Sequence, residues 1–269
     1  MSKEENYLEI NRNSWNQRTV AHLDSEFYDV PRFLKGASSL KEIESGLLGD
    51  LKGKTILHLQ CHFGQDSISL ARRGAQVTGV DLSNVAIDNA RKLAVETKTE
   101  GAAKFICCNV YDLPAHLDKK FDIVFTSYGT IGWLPDLDKW AKVISQFLKP
   151  GGQFVFVEFH PVVWMFDEDF SKISHRYFNS DAIIETDTST YTSKNDELVT
   201  ENVTWNHSLG EVLNSLIQNG LRIGSFQEYD YSPYDCFNKT EEFEPGKFRI
   251  KHLDNKIPMV FSVKAEKEQ

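Results

Sequence analysis

Residues Ile56 to Ala71 read ILHLQCHFGQDSISLA: an apolar run, a turn built on Gly64, and the start of a helix. Strand, glycine turn and helix in that order form the opening unit of a parallel α/β sheet, and the chain repeats the unit as far as about residue 160. KTILHLQ (54–60) reads as the first strand and Gln65 to Arg73 as a helix. AQVTGVDLS (75–83) is the second strand. NVAIDNARKLAVET (84–97) follows as a helix with apolar residues at Val85, Ala86, Ala90, Leu93 and Ala94. AKFICCNV (103–110), FDIVFTSYG (121–129) and QFVFVEFH (153–160) supply three more strands. The helix in DLDKWAKVISQFLKPGG (136–152) turns Leu137, Trp140, Val143, Ile144, Phe147 and Leu148 to one face and stops at Pro150-Gly151-Gly152.

After His160 the rhythm breaks. Residues 161–180 are aromatic and irregular, and AIIETDTSTYT (182–192) and ELVTENVTW (197–205) alternate in period two around the polar turn SKND, as in a hairpin. The stretch 161–205 therefore reads as an inserted lid. SLGEVLNSLIQNG (208–220) resumes the α/β pattern with Ser208 and Glu211 in capping-box spacing, and LRIGSFQEYDY (221–231) and PMVFSVKAEK (258–267) are the last strands. The expectation is one domain over 1–269: a helical cap (1–50), a cofactor-binding core (51–160), the inserted lid (161–205) and a completion of the sheet (206–269).

Composition narrows the function. A length of 269 residues, 41% of them hydrophobic, suits a single large domain. No run approaches membrane-spanning length and the first residues are polar, so a cytoplasmic protein with no membrane partner is expected. A net charge of −9 opposes the basic surface that nucleic-acid binding requires, which favours small-molecule partners. Cys61, Cys107, Cys108 and Cys236 lack the paired spacing of a zinc site. His58 and His62 lie on a strand and its turn without a companion at ligand spacing, so no metal is expected.

In open α/β sheets, ligands lie at the carboxyl ends of the strands where strand order reverses, and the turn after the first strand forms that place. A glycine there often serves only the turn. Asp81 adds the second signal: it ends the second strand, 17 residues after Gly64, where a carboxylate accepts both ribose hydroxyls of an adenosine-containing ligand. A dinucleotide needs several glycines so that the backbone can press against its pyrophosphate, and His62 and Phe63 obstruct that approach, which disfavours an NAD-dependent enzyme. The absence of a phosphate-gripping lysine disfavours a P-loop. S-adenosylmethionine has ribose and adenine but no phosphate, and the bulky turn tolerates it.

The runs ILHLQCHFG, GVDLS, NVYDLP, FDIVFTSYG and LKPGGQFVFVEFHP, in this order and spacing, resemble the class I S-adenosylmethionine-dependent methyltransferases. The resemblance covers residues 50–160 strongly; NRNSWNQRTVAH (11–22) and VTWNHSLGEVLNSLIQNGL (203–221) resemble a bacterial small-molecule-type subgroup. It implies a Rossmann-like, doubly wound, mostly parallel sheet with an antiparallel last strand. The family's first-strand motif, acid-x-glycine-x-glycine-x-glycine, is replaced here at His58, Gln60 and His62.

Carried over to these positions, the resemblance assigns Leu59, Gln60, Cys61 and Gly64 to the methionine portion through the backbone. It assigns Asp81 to the ribose, Leu82, Asn109 and Val110 to the adenine, and Ser127 and Tyr128 to the methionine carbons and the reacting end. His160, at the end of the fifth strand, reads either as a base near the acceptor or as a loop residue bonding backbone before Pro161. Asp112 reads as a turn residue, His207 as structural and Trp140 as core. Trp15, Arg18 and His22 share one side of an N-terminal helix and read as a lid, Trp15 facing the sulfonium and Arg18 an anionic group. Tyr231, Tyr234 and Phe237 complete the pocket mouth. The expected function is methyl transfer to a small-molecule or other non-polymer acceptor; the alternative is a non-catalytic sensor of S-adenosylmethionine or S-adenosylhomocysteine.

Overall fold

The computed structural model describes residues 2–178, 181–192 and 198–268. Three helices come first: α1 (Tyr7–Leu23), α2 (Val30–Leu34) and α3 (Glu42–Leu48). The core then runs β1 (Thr55–Leu59), α4 (Gln65–Arg72), β2 (Gln76–Asp81), α5 (Asn84–Glu96), β3 (Ala103–Cys107), α6 (Leu113–His116), β4 (Phe121–Ser127), α7 (Leu137–Phe147) and β5 (Leu148–Phe159). The insertion contributes β6 (Ile183–Asp187) and β7 (Thr200–Thr204). The chain closes with α8 (Leu209–Gln218), β8 (Leu221–Tyr229), β9 (Thr240–Glu244), β10 (Lys247–Ile250) and β11 (Val260–Lys267).

Seven strands form one sheet in the order β3-β2-β1-β4-β5-β11-β8. Pairings from β3 through β5 are parallel, and β11 alone runs against its neighbours β5 and β8. This is the Rossmann-like, doubly wound sheet with an antiparallel last strand. The strands read as unbroken apolar runs because both faces are covered: Leu57, Leu59, Val124, Phe154 and Phe156 pack toward α7 and α8, whereas Ile56, Ile123, Phe125 and Val155 pack toward α4 and α5. Winding proceeds from β1 to β2 and β3 on one side and through β4 and β5 on the other, so the crevice opens between β1 and β4.

Two boundaries differ from the sequence reading. Strand β5 begins at Leu148, directly after α7, and its pairing with β4 jumps from Phe121–Leu148 to Ile123–Gln153, which accommodates Pro150, Gly151 and Gly152 as an irregularity at the strand's start. The stretch between the last two expected strands, to which the sequence reading gave no strand, contains the antiparallel pair β9 and β10 around Pro245-Gly246. The expected hairpin in the insertion is the antiparallel β6–β7 pair; its SKND turn lies outside the described residues. Among the described residues, no helix is long and apolar enough to cross a membrane.

Candidate cofactor and acceptor site

A cavity of about 1340 Å³ opens at the carboxyl ends of β1, β2 and β4. Its floor is the turn after β1. Gln60, His62 and Gly64 have φ of 54°, 51° and 82°, so the backbone keeps the left-handed conformations that suit glycine although two of the three residues carry side chains. Each non-glycine residue held there costs on the order of 1 kcal/mol, which its neighbours must offset. Cys61 donates its N–H to Val80 O at 2.9 Å, the Gln60 amide donates to Thr130 O at 2.7 Å, and the His62 N–H donates to Asp81 Oδ2 at 2.8 Å. Gly64 is required twice over: a Cβ added there would lie 2.7 Å from the Phe105 ring and 2.9 Å from Ala90 Cβ.

Asp81 sits at the end of β2 with Oδ1 accepting the Ser83 N–H at 2.9 Å and Oδ2 accepting that of His62. Burial pushes its pKa up to about 6, against the pull of these backbone donors. The carboxylate lines the cavity. His58, where the family has an acid, is buried beneath the turn: Nδ1 lies 2.8 Å from Ser67 Oγ and burial lowers its pKa to about 3, so the ring is neutral.

The loop after β4 is pinned by a residue that the sequence reading missed. Glu158, 2% exposed, accepts the backbone N–H groups of Gly129, Thr130 (2.7 Å), Ile131 (3.2 Å) and Phe159 (2.7 Å), and the Thr130 hydroxyl at 2.9 Å. Burial raises its pKa, and the donors work against that shift by stabilising the anion. Because Thr130 O in turn receives the Gln60 amide, the loop and the first-strand turn form one hydrogen-bonded unit. Nothing in the strand VFVEFH marks Glu158 except a lone acid in an apolar run, a signal that this geometry now explains.

Of the expected cofactor residues, Gln60, Cys61, Gly64, Asp81, Leu82, Asn109, Val110 and Ser127 all line the cavity. Leu59 is wholly buried in the core and offers only backbone. Asn109 Oδ1 accepts the Tyr111 N–H at 3.2 Å, which leaves its amide N–H₂ unengaged by that bond. Tyr128 lines the cavity with its ring, at φ 43°, while its hydroxyl donates to Glu44 Oε2 at 2.9 Å. Glu44 is fully buried on α3 and its pKa is raised by burial to about 7. Asp66, in the first turn of α4, also lines the cavity, and burial raises its pKa. Neither acid was singled out from sequence.

Three expectations need correction. His160 does not line the cavity: Nε2 pairs with Glu228 Oε1 at 2.9 Å and Nδ1 accepts the Val162 N–H at 3.1 Å, so both ring nitrogens are engaged away from the site. Tyr231 lies outside the cavity beside Lys247, and Tyr234 and Phe237 take its place on the wall. His22 is not at the wall but buried behind His62, with Nδ1 3.4 Å from His62 Nε2. His207 also has both nitrogens engaged, by Glu211 at 2.9 Å and Leu134 O at 2.8 Å.

The N-terminal helix and the insertion form one cap. Asn11 donates to Val203 O at 2.7 Å and accepts its N–H at 2.9 Å, Ser14 donates to Asn202, and Arg18 donates to Asp187 at 2.5 Å and Thr200 at 3.3 Å. Arg18 therefore has a protein partner. Trp15 lines the cavity, its ring centroid 5.2 Å from that of Trp133 and 5.4 Å from His62. Among the described residues, no group of three or more His, Cys, Asp or Glu side chains is placed to hold a metal.

Residues 57–156 match the family described as Methyltransferase domain. A ubiquinone biosynthesis O-methyltransferase of Alkalilimnicola ehrlichii is 36% identical over 109 residues, 40% of this chain and 43% of that protein, so the chain spans less than half of that curated relative. An S-adenosylmethionine-dependent methyltransferase from Mesorhizobium loti superposes with a TM-score of 0.59 at 24% identity, covering 87% of this chain and 100% of that one. A geranyl diphosphate C-methyltransferase from Streptomyces coelicolor A3(2) covers 97% and 98% of the two chains with a TM-score of 0.58 at 18% identity. At these identities the two structures speak to the fold alone.

Proposed function

We propose that the chain, whose residues 57–156 match the family described as Methyltransferase domain, binds S-adenosylmethionine in the crevice between β1 and β4 and catalyses methyl transfer to a small, non-polymeric acceptor. The observation that carries the reading is Asp81, a half-buried carboxylate at the end of β2 that accepts two backbone N–H groups and lines the cavity. The residues present fit the cofactor. Asp81 would accept the ribose hydroxyls, Leu82 and Val110 would flank the adenine, and the Gln60 to Gly64 turn would hold the methionine portion.

Bound there, S-adenosylmethionine would supply a methyl group activated by its sulfonium: the acceptor's lone pair would bond to the methyl carbon in line as the carbon–sulfur bond breaks and neutral S-adenosylhomocysteine leaves. The chain's contribution is alignment and exclusion of water. Glu158 fixes the loop after β4 and, through Thr130, the turn after β1, so both walls of the reacting region move as one piece. Trp15 closes the cavity from the cap and presents a ring to the cationic centre. Beyond the β4 and β5 ends the wall is aromatic: Phe159 lies 5.1 Å from Phe237 and 5.8 Å from Trp164, and Tyr128 lies 5.1 Å from Tyr234, all between ring centroids. This wall supports an acceptor with a flat or apolar body. Tyr128 serves as part of it, its hydroxyl being committed to Glu44.

Calorimetry with S-adenosylhomocysteine tests the cofactor, and transfer of a labelled methyl group to a panel of small aromatic acceptors tests the reaction. Absence of binding overturns the whole reading. Binding without transfer to any acceptor would instead favour the sensor.

A further inference from the structure

Asp66 is a carboxylate that the proposed cofactor contacts leave unused. It stands in the first turn of α4, half-buried, and lines the cavity. Burial raises its pKa, and the Ser39 hydroxyl, the Lys41 ammonium and the Ser127 hydroxyl, which favour the anion, offset that shift only in part. Among the described residues, no cation comes within ion-pair distance of it. An acid in a first turn ordinarily serves its helix from the solvent side. This one stands among aromatic rings that three separate loops deliver: Tyr28 follows α1, Tyr128 follows β4 and Tyr234 follows β8, and all three line the cavity. Burial raises the pKa of each phenol, and the nearby Asp66 charge adds to it in all three, so the carboxylate is within electrostatic reach of every ring. Phe27 joins the rings into a belt, its centroid 5.1 Å from that of Tyr28 and stacked 5.5 Å from that of Tyr234, which lies 5.1 Å from Tyr128. The Lys41 ammonium lies 4.4 Å from the Tyr234 centroid, so a cation already fits against this belt.

Resting on the proposed methyl transfer, we infer that the acceptor carries a protonated amino group, which the Asp66 carboxylate holds against the rings of Tyr28, Tyr128 and Tyr234. The two attractions add. The carboxylate offers charge and hydrogen-bond acceptors, and the ring faces offer their negative quadrupole, in a place where little water competes. A neutral group gains little from either, and an anionic one is repelled. The cavity, at about 1340 Å³, exceeds the roughly 300–1,000 Å³ that one drug-sized ligand occupies, so it has room for an acceptor beside the cofactor. The belt also runs into the aromatic wall at the β5 end, because the Tyr128 centroid lies 5.7 Å from that of Phe159. A flat body on that wall and an amino group at Asp66 therefore belong to one acceptor. Asp66 sets specificity: it holds the amino group and takes no part in breaking the carbon–sulfur bond.

The test is calorimetry on the full chain saturated with S-adenosylhomocysteine, at neutral pH, with three probes that carry a phenyl ring on a two-carbon arm and differ at its end: phenethylamine, 2-phenylethanol and 3-phenylpropanoate. The wild type should bind the amine about fivefold or more tighter than the alcohol, and the carboxylate most weakly. Asp66→Asn should bring the amine to within about twofold of the alcohol while leaving the alcohol and S-adenosylhomocysteine unchanged to within about twofold, and Asp66→Glu should keep the preference for the amine. Tyr234→Leu, which retains the acid and removes one ring face, should weaken the amine more than the alcohol. The wild-type series needs no variant to fold, and a wild type that binds S-adenosylhomocysteine but does not prefer the amine overturns the inference while sparing the cofactor reading. So does a preference that survives Asp66→Asn. A loss of S-adenosylhomocysteine affinity in Asp66→Asn as large as that of the amine would give the carboxylate to the cofactor and overturn the inference as well. Failure of the wild type to bind S-adenosylhomocysteine overturns the cofactor reading itself, and the inference with it.

Discussion

The His62 backbone N–H donates to Asp81 Oδ2 at 2.8 Å, joining the turn after β1 to the acid that ends β2. The same His62 packs its ring 5.4 Å from Trp15 of the cap, centroid to centroid. One residue thus touches the proposed ribose acid through its backbone and the cap through its side chain. It occupies a glycine position at φ 51°, and its ring, neutral because burial lowers its pKa, fits the apolar junction between them.

The raised pKa of Asp81, about 6, gives the first prediction. The ionised carboxylate is the form that accepts ribose hydroxyls, so S-adenosylhomocysteine affinity should hold at neutral pH and fall below about pH 6, approaching tenfold per pH unit. Stability moves in the opposite sense. The native chain retains this proton between the ordinary carboxylate range and pH 6, so the group's contribution to stability falls as pH rises through that window and levels off above it. Asp81→Asn should flatten the pH dependence of binding, and Asp81→Ala should cost about 1.5–3 kcal/mol of binding energy. Calorimetry across the pH range checks both, and unchanged affinity in the Ala variant removes Asp81 from the site.

Glu158→Gln should be disproportionately damaging for a change of one atom. The carboxylate accepts four backbone N–H groups and a hydroxyl, and an amide replaces one acceptor oxygen by a donor facing other donors. A loss of about 2–4 kcal/mol in denaturant unfolding is expected, with weakened cofactor binding because the loop also anchors Gln60. An unfolding midpoint equal to wild type would show that the loop is held by other contacts.

The sheet was legible in the sequence because its parallel strands are buried on both faces and read as apolar runs, with Gly64 and Asp81 punctuating the two turns that make the crevice. The cap was partly legible. Trp15 and Arg18 stand out in a polar segment, but their partners do not, since the bonds from Asn11 and Arg18 reach Val203 and Asp187, 192 and 169 residues away. His160 misled because a histidine at a strand end looks alike whether it faces the cavity or its neighbouring strand; only Glu228 on β8 reveals the direction. Strand β9 escaped because its exposed, charged residues carry no buried-face alternation, and β10 because it is four residues long with Ile250 alone buried.

Gly64→Ala should fail structurally before it fails functionally. The added methyl group meets Phe105 and Ala90 at under 3 Å, and the left-handed backbone penalises any side chain. The expected destabilisation is about 2–4 kcal/mol by thermal or denaturant unfolding. Phe105→Leu in the same chain should recover part of the loss by relieving that contact, and no recovery would leave the cost with the backbone conformation and the Ala90 contact.

The last prediction concerns how the cap moves. The face of α1 toward the insertion is polar, with Asn11, Ser14 and Arg18 all buried, and every one of these side chains bonds to β6, β7 or a neighbour on α1. An apolar face could slide or swing on its partner at modest cost. A face whose donors and acceptors are matched one to one cannot separate without exposing each group to water in turn, so α1 and the β6–β7 pair should open together. Arg18→Ala leaves Asp187 without its cation and Thr200 without a donor, and because Asp187 is 44% exposed the cost is moderate, about 1–2 kcal/mol. Hydrogen exchange should then quicken in residues 8–23 and in 200–204 by the same factor, with the core strands unaffected. Binding of S-adenosylhomocysteine should slow exchange in both segments together if the cap closes over the cofactor, and leave both unchanged if it is permanently docked. Loosening of α1 with β7 still protected would separate the two elements and show that the helix is a flap on its own.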